Sequence, residues 1–213
     1  AKYMTDKKKI RLGIFGTGAQ GRTQLMAFAE VLEIEEAIVY DISNEAVQKY
    51  IAEMAPKTNI KITAADSPEK VFAGTDIIVS VTHARNKFIK NDWFKAGQII
   101  FPMGSFTECE DELLLSANRV FVDSIGQTLH RGALKNIVDT GKFNREMITA
   151  TIGELVAGKV DGHIKEGEKI VCVPIGTGAM DVAVATKVYE KAKALGLGSS
   201  FVFNEKTEAE PKR

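Results

Sequence analysis

The chemistry in this chain starts at Gly16-Thr17-Gly18-Ala19-Gln20-Gly21, a G-x-G-x-x-G pattern lying between an apolar run and a helical stretch. In the dinucleotide-binding reading each glycine has its own task. Gly16 permits a tight turn, Gly18 lets the backbone approach a pyrophosphate, and Gly21 lets the helix pack closely on the strand. The helix N-terminus then offers unpaired N–H groups and a partial positive charge to the anion. Asp41 follows about 20 residues later, at the end of the second apolar run, as the fingerprint requires. A carboxylate there accepts from ribose hydroxyls and repels a 2′-phosphate, so NAD is expected rather than NADP. The alternative is a glycine-rich turn without ligand, with Asp41 a surface turn residue.

These residues need a scaffold, and the chain supplies one. Apolar runs at Ile10–Phe15, Ala37–Tyr40, Ile60–Thr63, Asp76–Val81, Gln98–Phe101, Arg119–Val122 and Lys169–Val173 read as seven strands. Helices are expected over Gly18–Leu32 and Glu45–Met54, the second capped by Ser43 or Asn44 and stopped by Pro56. Ser67-Pro68 opens another, Trp93-Phe94 anchors a short one, and Met180–Leu195 closes the chain with a long one. Strands alternating with helices imply crossovers and a mostly parallel, doubly wound α/β sheet of the Rossmann type. Ligands then bind at the carboxyl ends of the strands. Ile42, Val81, Thr82, Gly104, Ser105 and Gly176 lie at such ends or just beyond them and join the candidate cofactor contacts. Residues 1–200 read as one dinucleotide-binding domain and 201–213 as a polar tail.

Composition bounds the function. The chain has 213 residues, 45% hydrophobic and 26% charged, and its 28 basic and 28 acidic residues cancel. Zero net charge removes the basic footprint of a general nucleic-acid binder. No apolar run reaches the roughly 18 residues of a membrane helix, and the polar start lacks a signal-peptide core. Cys109 and Cys172 make no metal-ligand pattern and fit a reduced, cytoplasmic compartment.

Several segments in the second half resemble the ornithine cyclodeaminase/mu-crystallin family. They are Gly104-Ser105 followed by Glu112-Leu113, then Val122-Asp123-Ser124 followed by Gly132-Ala133-Leu134. Next come Ile152-Gly153-Glu154-Leu155 through Gly158-Lys159, and Gly176 to Asp181 followed by Val188-Tyr189-Glu190. They occur in family order, from about Ile10 to Gly198. The resemblance implies an NAD-dependent oxidoreductase moving hydride between the cofactor and a small amino or imino acid. It also places Gly104 and the Gly176-Thr177-Gly178 loop near the nicotinamide.

Two departures limit what carries over. The family's cyclodeaminases and alanine dehydrogenases have an aspartate where this chain has Phe106, which cannot transfer a proton. Glu108-Cys109-Glu110 replaces the Pro-x-Lys that follows. The catalytic acid or base is therefore not named. Asp66, Glu108, Glu110 and Asp111 read as solvated surface charges. His83, at the ligand edge, reads as a loop histidine, and Arg85 and Lys87 as cations facing water. His130 and His163 receive no role, and Lys7-Lys8-Lys9 reads as a solvated lead-in.

The family also carries an N-terminal segment that builds the substrate site and the dimer platform, whereas here nine residues precede Ile10. The resemblance thus implies either a fragment or a short chain completed by a separate subunit, in an oligomer. Its exposed face would lie on the closing helix and the Gly176-Thr177-Gly178 loop. Two other readings remain: a non-catalytic NAD-binding or regulatory subunit, and a cyclodeaminase-type lyase with a displaced acid/base.

Overall fold

The computed structural model describes residues 1–104 and 106–201, so the expected contact Ser105 and nearly all of the expected tail lie outside the described residues. The described residues fall into two compact units, one spanning Ala1–Ile175 and a second beginning at Gly176.

The first unit holds a wholly parallel eight-stranded sheet. Its strands are β1 (Lys9–Phe15), β2 (Glu33–Tyr40), β3 (Lys61–Ala64), β4 (Ile77–Ser80), β5 (Ile99–Pro102), β6 (Arg119–Val122), β7 (Ala150–Thr151) and β8 (Ile170–Val173), in the order β3-β2-β1-β4-β5-β8-β6-β7. Seven of these are the expected strands. The eighth, β7, is two residues long, too short to show a hydrophobic period, and is recruited by pairing with Phe121 and Val122. Strand order reverses beside β1, where β2 lies on one side and β4 on the other, and this is the point at which such sheets open a ligand crevice.

Helices α1 (Ala19–Ala29), α2 (Asn44–Thr58), α3 (Pro68–Phe72), α4 (Asp111–Leu115), α5 (Ile125–Thr128), α6 (Lys135–Asp139) and α7 (Ile152–Val156) connect the strands. Burial on both faces explains the near-continuous apolar strands. Ile77 and Val79 point into a core shared with Leu25 and Phe28 of α1 and Tyr50 and Met54 of α2. Ile78 and Ile100 point the other way, into a core with Phe72, Leu113, Leu114 and Ile137.

Three local expectations are corrected. Helix α1 stops at Ala29 rather than Leu32, because β2 begins at Glu33, well before Ala37, and pairs Glu33 with Lys9 of β1. Pro56 lies inside α2 rather than beyond it. The helix runs on to Thr58 and is closed by Asn59 in the left-handed conformation (φ 56°), whose N–H returns to the Ala55 carbonyl at 2.9 Å. Ser67 makes no side-chain cap on α3, whereas Ser43 does cap α2, accepting from the Ala46 N–H at 3.2 Å.

In the second unit, α8 (Gly178–Ala194) forms close to the expected Met180–Leu195 and has no buried residue.

Candidate functional site

The turn leaving β1 is shaped by contacts that only glycine allows. Gly16 sits at φ +93°, and a Cβ there would stand 2.9 Å from the Val81 carbonyl oxygen. At Gly21 a Cβ would stand 2.1 Å from the Gly16 carbonyl oxygen, so α1 rests directly on the turn. Gly18 is the opposite case. Nothing lies within 4 Å of its Cβ position, and as the N-cap of α1 it provides no side-chain cap. The first turn of α1 therefore presents its backbone N–H groups to whatever approaches.

Asp41 ties this turn to the end of β2. One carboxylate oxygen accepts from the Thr17 N–H (2.8 Å) and the Thr17 hydroxyl (3.0 Å), and the other from the Ser43 N–H (3.2 Å). Thr17, an expected cofactor contact, is only 2% exposed and spends its donors on Asp41. Its role in the structure is to orient that carboxylate.

A cleft of about 540 Å³ opens where these segments meet the exit of β4. It gathers Gly16, Gly18, Ala19, Gln20, Asp41, Ile42, Val81 and Thr82 from the sequence-derived set, and adds Tyr40, Pro68, His83, Ala84, Asn86 and Phe88. Gly21 is buried behind it. Gly104 lines a smaller hollow of about 200 Å³ at the ends of β5 and β8, with Met103, Arg131 and Ile175. Gly176 opens the second unit with φ +91°. Another hollow, about 430 Å³, lies at the opposite strand ends beside Lys7, Asp76 and Gln98, away from the glycine turn.

Two of the carboxylates after β5, Glu108 and Asp111, are not where the sequence suggested. Glu108 is 1% exposed and Asp111 8% exposed. Residues 106–111 run alongside the segment leaving β4, with the Ile89 N–H bonded to the Glu108 carbonyl (3.0 Å) and the Glu110 N–H to the Ile89 carbonyl (2.9 Å). That pairing turns Glu108 inward. Its carboxylate accepts from the Thr82 N–H (3.0 Å), the Thr82 hydroxyl and the Gly104 N–H (3.2 Å). Burial pushes the Glu108 carboxyl above its ordinary value, against the pull of the Thr82 hydroxyl and the Thr82 and Gly104 N–H groups. Asp111 is held by Lys87 (2.6 Å) and Asn136 (3.1 Å), so Lys87 does not simply face water. Arg85 lies over the Phe106 ring, 5.1 Å from its centroid. Asp66 is the exposed charge expected of it.

Arg22, missed in the sequence, braces the glycine turn. Its guanidinium donates to the Thr17 and Gly18 carbonyls, pairs with Glu53 (2.9 Å) and stacks over Tyr50, whose hydroxyl donates to the Gly21 carbonyl (3.1 Å). Nothing in the fingerprint marks it, because the Glu53 and Tyr50 that hold it come from α2. Two shared signals, a cation in the first turn of α1 and a carboxylate in α2, become a pair only when the helices pack. Among the described residues no three His, Cys, Asp or Glu side chains converge as a metal site, and no helix is long and apolar enough to cross a membrane.

The geometry has relatives of known chemistry. An alanine dehydrogenase of Archaeoglobus fulgidus is 31% identical over 206 residues, which are 95% of this chain and 63% of that protein. The Δ1-pyrroline-2-carboxylate reductase of Thermococcus litoralis, solved with NADH and L-proline, superposes with a TM-score of 0.89 at 31% identity, covering 94% of this chain and 63% of that one. An archaeal alanine dehydrogenase dimer with bound NAD superposes at 0.86, again at 31% identity, covering 96% and 64%. The chain thus spans less than two thirds of the length of these relatives. The sequence model of the ornithine cyclodeaminase/mu-crystallin family matches residues 1–196, and the chain belongs to that family.

Proposed function

We propose that this chain binds NAD across the β1/β4 crevice and forms the cofactor-binding part of an oxidoreductase. The reaction is hydride transfer between NAD(H) and a small amino or imino acid, as in an amino-acid dehydrogenase or ketimine reductase. The carrying observation is the convergence of the glycine turn, Asp41 and the β4 exit on one cleft at the point where strand order reverses.

The residues present fit the cofactor. The uncapped first turn of α1 and the open space above Gly18 suit a pyrophosphate, with Ala19 and Gln20 supplying N–H groups beside it. Asp41 accepts from the adenosine ribose, with Thr17 holding it in place and Ile42 at the rim. Gly16 and Gly21 form the turn itself. Val81 and Thr82 line the cleft towards the nicotinamide half, and Gly104, Ser105 and Gly176 are assigned to that half from the resemblance. When bound, the nicotinamide carries the hydride, and this chain's residues position it.

The described residues name no acid or base for the substrate nitrogen. Phe106 cannot serve, and we assign that group to a further segment or a separate subunit, in a homo- or hetero-oligomer. The dimeric archaeal relative supports association. We further propose residues 1–200 as the dinucleotide-binding part, 201–213 as a tail, and a cytoplasmic location, with neither nucleic acid nor membrane as partner. Phe106, where the family's cyclodeaminases and alanine dehydrogenases have an aspartate, favours a second reading, a non-catalytic NAD-binding or regulatory subunit.

Thermal unfolding with and without NADH tests binding. Purification from the native source, followed by NADH oxidation with cyclic imines or with 2-oxo acids plus amines, tests the reaction. A chain that purifies alone and binds NADH but turns over no such substrate supports the second reading.

A further inference from the structure

Glu108 is a buried carboxylate set between two strand exits of the cofactor crevice. All three of its hydrogen-bond partners act as donors. The Thr82 hydroxyl accepts from the Ala84 N–H (3.0 Å), so its own proton is directed at Glu108. The Thr82 and Gly104 N–H groups complete the set, at 3.0 and 3.2 Å. Two N–H groups and one O–H group aimed at both oxygens are what an ionised carboxylate takes, and they oppose the burial that raises its carboxyl. The fit is close enough to dictate the neighbour: a Cβ on Gly104 would stand 2.2 Å from a Glu108 carboxylate oxygen.

The position of this charge matters. A dinucleotide with its adenosine ribose on Asp41 and its pyrophosphate on the β1 turn crosses the crevice, so its second half lies over the exits of β4 and β5. Thr82 and Gly104 are those exits. The nearby carboxylates Asp111 and Glu110 are neutralised by Lys87 (2.6 Å) and Lys90 (2.9 Å), whereas no Lys or Arg pairs with Glu108 among the described residues. The nicotinamide ring is cationic when oxidised and neutral when reduced. The ionised Glu108 carboxylate at these exits therefore acts mainly on the oxidised form.

We propose that Glu108 is a positioning residue that fixes Thr82 and Gly104 and, through its charge, favours NAD+ over NADH in this site. The inference rests on the proposed NAD site and goes beyond it, because it assigns the balance between the two redox forms to one named carboxylate. Arg131, across Gly104 in the smaller hollow, carries an opposing charge. It is common to wild type and variant, so a change at Glu108 is read against a constant background.

The test is calorimetric titration of the full chain with NAD+ and with NADH, in wild type and Glu108→Gln. Gln keeps the shape and one acceptor but removes the charge. The NAD+/NADH affinity ratio is expected to fall by about threefold to tenfold, through weaker NAD+ binding, as for unit charges separated within a partly solvated cleft. A purely structural role would weaken both nucleotides alike, and a ratio unchanged while both still bind overturns the proposal and leaves the NAD site standing. If Glu108→Gln does not fold, Glu108→Asp keeps the charge on a shorter stem. It is expected to weaken both nucleotides with the ratio held within about twofold, and a larger change in ratio overturns the proposal. If neither nucleotide binds the wild-type chain, the NAD site and this inference fall together.

Discussion

Asp41 and Thr17 stand in a two-point contact, with one carboxylate oxygen accepting both the backbone N–H (2.8 Å) and the hydroxyl (3.0 Å) of the threonine. The residue expected to read the ribose is thereby oriented by a residue expected to touch the cofactor directly. The Asp41 carboxylate and the glycine turn become one mechanical unit.

Cofactor preference follows from that unit. NADH is expected to raise the unfolding temperature more than NADPH does, and Asp41→Ala to narrow the difference. Thr17→Val, which removes only the hydroxyl, is expected to cost about 1 kcal/mol and to weaken NADH without reversing the preference. Equal protection of the wild type by both nucleotides would remove the role given to Asp41.

The glycines of the turn are expected to separate by mutation. Gly21→Ala forces a methyl group to 2.1 Å from the Gly16 oxygen, a backbone clash that should cost on the order of 1–3 kcal/mol and abolish nucleotide binding. Gly18→Ala meets nothing within 4 Å and should leave the urea midpoint nearly unchanged while weakening NADH severalfold. The reverse order of stabilities would contradict the packing at Gly21.

Acid stability should report Glu36. This half of the partly buried Arg11–Glu36 pair (2.6 Å) also binds Lys61 (2.8 Å) and Thr63 (2.6 Å), and Lys61, Thr63 and Arg11 lower its carboxyl from about 4.5 to about 2. A depressed pKa stabilises the fold above the unfolded value, and that stability is lost as pH falls from about 4.5 through about 2. Urea midpoints measured across this window should fall more steeply for wild type than for Glu36→Gln. Parallel curves would show that the cluster contributes nothing to acid stability.

Both thiols should be silent in the native chain. Cys109 and Cys172 are buried, and burial pushes the Cys172 thiol up to about 12 and raises that of Cys109 as well. A thiol reagent should label neither until urea unfolds the chain. Fast labelling of Cys109 in the native state would show that residues 106–111 open away from the segment leaving β4.

The parallel α/β sheet, the glycine turn and Asp41 were legible because each is local. Buried parallel strands announce themselves as apolar runs, and a fingerprint needs only the right spacing within one strand–turn–helix unit. The two-residue β7 was not legible, since two residues carry no period and its partners in β6 are 29 residues away. Pro56 misled for a related reason: its missing N–H is a local penalty, but the Asn59 cap lets α2 run past it.

Sequence by itself therefore determined the fold class and that the glycine turn and Asp41 stand at the ends of the first two strands. It could not decide what the side chains around that place do. Glu108, read as a solvated charge, became a buried carboxylate only when the segment after β5 paired with the segment after β4 and brought Thr82 and Gly104 to it. Arg22 became a brace only when α2 delivered Glu53 and Tyr50. The reason is common to both. Burial and hydrogen bonding of these charged side chains depend on partners 26 to 31 residues away, and tertiary packing alone chooses those partners.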